Sequence, residues 1–130
     1  MDRIKLIIIF LMITASTYSR DWSAVVSAIA KVESKGNARA VNGDAVGILQ
    51  IRPVLVRDVN RILKLRNSTK RYTLNDRYDP QKSAEMFEIY QSFYNPTGNV
   101  EKAIRLWNGG SGYTKAKTEK YYQKVRRAMQ

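Results

Sequence analysis

The sequence predicts a mainly α, single-domain fold with little or no β-structure, and three observations carry that expectation. A chain of 130 residues has room for one domain. Hydrophobic residues make up 44% and charged residues 26%, a balance that supports a globular core and that extended disorder does not show. Past residue 20, apolar side chains recur at helical spacing between Gly, Asn and Pro breakers, with no internal repeat or low-complexity tract.

Residues 1–19 read as a secretory signal peptide. Arg3 and Lys5 precede an unbroken apolar run from Leu6 to Ile13, too short for a membrane span, and Thr14 to Ser19 is small and polar apart from Tyr18. The domain is therefore placed at residues 20–130, and export to the periplasm or the extracellular cell wall is expected. Trp22 to Ser34 predicts a helix that Asp21 or Ser23 can cap and Gly36 stops. Residues 36–47 predict a loop rich in Gly and Asn, and Ile48 to Ile51 a short strand or turn. Pro53 suits a first helical turn, and Leu55, Val59, Ile62 and Leu63 follow it at helical spacing. Residues 67–75 are polar and predict a loop. Asp79-Pro80 is a strong helix start, with Met86, Phe87, Tyr90, Phe93 and Tyr94 as the apolar face and Asn95-Pro96 as the stop. Asn99 opens a helix with the stripe Val100, Ala103, Ile104 and Trp107, which Asn108-Gly109-Gly110 breaks. The last helix directs Tyr121, Val125 and Ala128 or Met129 inward.

Composition removes several chemistries. With no His and no Cys, Ser-His-Asp and Cys-His nucleophiles, disulfides and iron–sulfur clusters are excluded, as are most zinc sites. Acid–base work then falls to carboxylates, Lys or Tyr. The net charge is +12, and loss of Asp2, Arg3 and Lys5 with residues 1–19 leaves +11. Such a domain expects an anionic partner: a cell wall, an anionic lipid surface or nucleic acid. The cations are scattered apart from Lys115, Lys117, Lys120, Lys124, Arg126 and Arg127, and no zinc-finger or RNP-like motif accompanies them, so nucleic acid is not the expected partner.

Glu33 is the informative residue. It lies on the helix face of Trp22, Val26 and Ile29, at offsets of 11, 7 and 4, all near whole turns of the helix. A carboxylate on the core side of a helix, beside a Gly-rich loop, loses hydration, and its pKa rises toward the value a general acid needs at neutral pH. The plainer alternative is a helix-end Glu that bends out to water or pairs with a Lys.

The flanking residues sharpen this. Glu33-Ser34 ends the first helix; Gly47-Ile48-Leu49-Gln50 follows a loop and runs on to Pro53; Trp107-Asn108-Gly109-Gly110 and Tyr121-Tyr122-Gln123-Lys124-Val125 come later. In order and approximate spacing, from about residue 22 to 127, this resembles the soluble lytic transglycosylase family of the lysozyme-like superfamily. Trp107 departs from the family's more usual Tyr in the Asn motif.

The resemblance implies a lysozyme-like domain with a cleft, acting without metal or cofactor on peptidoglycan. It implies cleavage of the β-1,4 bond between N-acetylmuramic acid and N-acetylglucosamine without water. Glu33 matches the residue that first protonates the glycosidic oxygen and then deprotonates the sugar's own 6-hydroxyl, leaving a 1,6-anhydro end. Ser34, Gln50, Asn108 and Tyr121 match substrate-binding positions. Each also has a structural alternative: Ser34 a hydroxyl bonded to local backbone, Gln50 a solvent-facing strand residue, Asn108 a helix cap, Tyr121 plain core. Two rivals stay open. A hydrolytic lysozyme would need a second carboxylate, for which Asp44 is the candidate in the loop, although Asn42-Gly43-Asp44 also reads as a turn. A basic, non-catalytic peptidoglycan-binding protein would need no buried acid. A monomer is expected, serving wall turnover or a secretion, conjugation or phage assembly.

Overall fold

In the computed structural model the described residues are 20–130; the expected signal peptide, residues 1–19, lies outside them. The described chain runs α1 (Ser23–Ser34), β1 (Val41–Asn42), β2 (Ala45–Val46), α2 (Pro53–Leu65), a 3-10 helix (Leu74–Tyr78), α3 (Pro80–Tyr94), α4 (Val100–Gly109) and α5 (Lys115–Ala128). The fold is mainly helical, as the spacing predicts.

Local chemistry sets the helix ends. Asp79 accepts hydrogen bonds from the backbone N–H of Gln81 and Lys82 at 2.9 and 3.1 Å, with Pro80 in the first turn of α3. Asn99 accepts from the N–H of Lys102 at 2.8 Å and starts α4. Asp21 accepts from the N–H of Ser23 at 3.0 Å, although Trp22 occupies the cap position of α1. Lys35 (φ 54°) and Gly36 (φ 77°) then turn the chain out of α1 in the left-handed region.

Helices α1, α4 and α5 pack on one another, and α2 packs on α3. Aromatic contacts join the two groups: the Phe87 ring of α3 lies 5.7 Å from Trp22 and 5.0 Å from Trp107. Ile29, Leu49, Ile51, Val59, Met86, Phe87, Ile104 and Val125 fill the fully buried centre.

Three expectations need correction. The loop expected at 36–47 holds a short antiparallel hairpin, Val41 opposite Val46 and Asn42 opposite Ala45, with Gly43 at φ 61° in its turn. In α2 the buried residue of the first turn is Val56; Leu55 is only half-buried. Phe93 is 39% exposed, with its ring under the Arg61 guanidinium rather than in the core, while of Ala128 and Met129 it is Ala128 that packs on the core.

Buried polar groups position the hairpin and the helix junction. Arg77 is 8% exposed and donates to the carbonyls of Leu74, Asp44 and Ile51 at 2.8, 2.9 and 3.1 Å, bolting the 3-10 helix to the hairpin turn and to the start of α2. A Cβ on Gly47 (φ 87°) would lie 1.8 Å from the Arg77 carbonyl oxygen, so this close approach admits only glycine. Gln91 donates to the Ala103 carbonyl and Asn95 to the Asn99 carbonyl, which fixes α4 against α3.

Candidate active site

These elements enclose a cleft of about 690 Å³. Glu33 from the end of α1 lines it, with Asn42 of the hairpin, the Gln50–Arg52 turn, one face of α2, Tyr90 of α3 and Trp107-Asn108 at the end of α4. Trp107 donates its indole N–H to the Leu49 carbonyl at 3.3 Å, which ties the end of α4 to the Gln50 turn. The separate motifs around Gln50 and Asn108 thereby meet across one opening.

Glu33 is half-buried, one turn after the fully buried Ile29. Burial pushes its carboxyl up from an ordinary 4.5 to about 7, and the Arg52 guanidinium pulls it partly back. No hydrogen bond stabilises its charged form among the described residues. At neutral pH this carboxyl is therefore divided between acid and carboxylate, able to give a proton and to take one back.

The sequence-selected residues fall into two groups. Glu33, Gln50 and Asn108 line the cleft, and Asn108 is exposed in it. Ser34 and Tyr121 do not line it. The Ser34 hydroxyl lies 2.8 Å from the Ile48 carbonyl and 3.1 Å from that of Ala30, and so ties the end of α1 to the Gly47–Gln50 turn. Tyr121, on α5 behind α1, has a buried hydroxyl with no hydrogen-bond partner among the described residues. Burial, and after it the Glu33 charge, push its phenol well above the usual range, so it stays neutral and close enough to Glu33 to feel it.

Gln50 is largely committed to its own loop. Its amide donates to the carbonyls of Gly47 and Ala40 at 3.0 and 3.2 Å, and its Oε1 accepts from Asn42 at 2.9 Å. The residue holds φ 52°, an uncommon conformation for a non-glycine residue. Asp44 does not line the cleft; it occupies the hairpin turn, exposed, 3.5 Å from Arg52.

The α2 wall was not singled out by the sequence. Arg57, Asp58 and Arg61 all line the cleft. Asp58 Oδ1 accepts from Arg61 Nε at 2.8 Å, and Oδ2 accepts from the Tyr94 hydroxyl at 2.6 Å. Positions 57, 58 and 61 share the polar side of α2, opposite the apolar stripe that marks it as a helix. Among the described residues no three carboxylates converge as a metal site would require.

Comparison with curated proteins and with solved structures finds no match. A family model does match: the transglycosylase SLT domain, over residues 10–130. That span takes in Glu33, the hairpin, the α2 wall and Asn108 together, and the chain belongs to the transglycosylase SLT domain family.

Proposed function

We propose that this protein is a peptidoglycan lytic transglycosylase in which Glu33 serves in turn as acid and as base. The observation that carries the reading is the state of Glu33: a half-buried cleft carboxyl held near pKa 7, with no hydrogen-bond partner among the described residues to lock it in its charged form.

The neutral Glu33 carboxyl gives its proton to the glycosidic oxygen as the bond from C1 of N-acetylmuramic acid breaks. The carboxylate left behind faces a sugar with developing positive charge, which it stabilises. The 6-hydroxyl oxygen of the same sugar then bonds to C1, and its proton passes to Glu33. No water is consumed, the acid is regenerated, and the product carries a 1,6-anhydro ring. One carboxyl suffices because the two proton transfers are sequential.

A hydrolase would instead require a second carboxylate to act as nucleophile or to activate water. Asp58, the other acid lining the cleft, has both oxygens engaged by Arg61 and Tyr94. Asp44 stands outside the cleft lining. Both facts favour the non-hydrolytic route. Asn108 supplies an amide to the acetamido groups of the substrate, and the remaining acceptor capacity of Gln50 adds to it. Ser34 and Tyr121 act on the site from behind, by shaping the turn and the surroundings of Glu33. Substrate location puts the mature domain, residues 20–130, outside the cytoplasm.

The test is mass analysis of fragments released from purified peptidoglycan by the parent and by Glu33→Gln. Anhydro-ended fragments from the parent alone are expected. Reducing-ended fragments, one water heavier, would make the protein a hydrolase, and equal release by the Gln variant would remove Glu33 from the chemistry.

A further inference from the structure

The cleft holds a second chemical feature that the proton chemistry of Glu33 leaves unused. Three arginines line it and no lysine does: Arg52, Arg57 and Arg61. Arg52 begins the wall beside Glu33. At about 1.5 Å of rise per residue, Arg57 and Arg61 stand roughly 8 and 14 Å farther along α2.

Arg61 is held in place. Its Nε donates to Asp58 and its Nη2 to the Tyr94 hydroxyl at 2.9 Å, and its guanidinium lies 5.4 Å above the Phe93 ring. The Tyr94 hydroxyl in turn donates to Asp58. One edge of the fork is thus fixed, while Nη1 makes no hydrogen bond among the described residues. Arg57, one turn earlier on α2, is exposed and forms neither a hydrogen bond nor an ion pair among the described residues. A fixed guanidinium beside a second, uncommitted one is an arrangement suited to a carboxylate, which accepts two parallel N–H bonds. Asp58 offsets the charge of Arg61, and Arg57 adds a cation with no partner among the described residues, so the group offers an anion one unbalanced positive charge.

The geometry points to a carboxylate-binding subsite at Arg57 and Arg61 that takes the peptide stem carried by the glycan, so that the cleft selects peptide-substituted over bare strands. The inference rests on the peptidoglycan reading above for the identity of the glycan. Asp58, Tyr94 and Phe93 are its positioning residues, since they touch Arg61 and orient it.

Equilibrium binding to soluble glycan strands tests it. The Glu33→Gln protein is used, because it binds without depending on turnover. Three ligands are compared: strands with intact peptides, strands stripped of peptide by an amidase, and peptide-bearing strands whose carboxylates have been chemically converted to amides. Intact strands are expected to bind about tenfold more tightly than either of the others at low salt, a gap that narrows as salt rises. Arg57→Gln and Arg61→Gln, each introduced into that protein, should each reduce the gap by about threefold to fivefold. If Arg61→Gln misfolds by stranding Asp58, Arg57→Gln still decides the matter, because Arg57 has no intramolecular partner among the described residues to lose. Equal binding of all three ligands, or a gap that survives both substitutions, overturns the subsite. Preference without cleavage by the parent would keep the subsite and sink the transglycosylase reading; cleavage without preference would do the reverse.

Discussion

Replacing Glu33 by Gln should make the protein more stable at alkaline pH and leave its stability unchanged at acid pH. The unfolded chain releases the Glu33 proton near 4.5, whereas the folded protein holds it to about 7. Between those values the folded state binds more protons than the unfolded one, so stability declines as pH rises from about 4.5 and levels off above about 7. At about 1.4 kcal/mol for each tenfold change in proton affinity, the displacement sets an upper bound of roughly 3 kcal/mol. Solvent reaches a half-buried carboxylate, so about 1–2 kcal/mol is the expected penalty at pH 8.

Gln has nearly the same shape and carries no charge. At roughly 4 °C per kcal/mol for a domain of this size, Glu33→Gln should raise Tm by about 4–8 °C at pH 8 and by nearly nothing at pH 4. Thermal unfolding of both proteins in buffers from pH 4 to 8 measures this directly. A Tm difference that is the same at every pH would show that the carboxyl is not displaced by burial. A Gln variant less stable at pH 8 would show that the ionised carboxylate has a stabilising partner.

Three further outcomes follow from the same geometry. The Arg52 charge lowers the Glu33 pKa, so Arg52→Gln should move the alkaline limb of the kcat/KM profile, which falls above about 7 as Glu33 loses its proton, to higher pH; a limb displaced to lower pH would contradict the assignment. Gly47→Ala forces a Cβ to within 1.8 Å of the Arg77 carbonyl at φ 87°, and should cost at least about 3 kcal/mol by urea unfolding, whereas a variant within 1 kcal/mol of the parent would mean the hairpin yields easily. Tyr121→Phe removes a buried hydroxyl that has no partner among the described residues and should leave the protein equally stable or more stable by about 1 kcal/mol, so a clear loss in urea unfolding would reveal a partner for that hydroxyl.

Much of the scaffold is legible because its signals are local. Asp79-Pro80, Asn99 and Gly36 act through their own or adjacent backbone, and each ends or begins a helix where the sequence places it. Glu33 is legible because helical periodicity carries it inward one turn after Ile29. What escapes is fixed by contacts between distant segments. Arg77 reads as one more cation on a basic chain, yet its guanidinium collects carbonyls 26 and 33 residues away. Arg105 reads as the polar side of α4, yet it is 3% exposed and bridges Glu101 on its own helix to Glu119 on α5. The α2 wall escapes for a related reason: a polar helix side looks the same in sequence whether it faces open solvent or a cleft.

The motif residues beside Glu33 illustrate a different gap: position is readable while role is not. Sequence offers Ser34 and Gln50 as groups for substrate, but their hydrogen bonds go mainly to backbone carbonyls that only the folded chain brings near. Gln50 sits at φ 52°, a conformation that costs a non-glycine residue about 1 kcal/mol or more. The surroundings must over-determine it, and the two hydrogen bonds its side-chain amide donates, the one its Oε1 accepts from Asn42, and the Ser34 tether next door do so. The turn is therefore rigid where it borders Glu33, a carboxyl that itself lacks a stabilising partner among the described residues. A half-buried acid held near pKa 7 has every physical incentive to swing into water, and a compliant wall would let it. The tethers made by Ser34, Gln50 and Arg77 hold that wall in place, so under the proposed function residues that need not touch the sugar would still set the surroundings of the acid that acts on it.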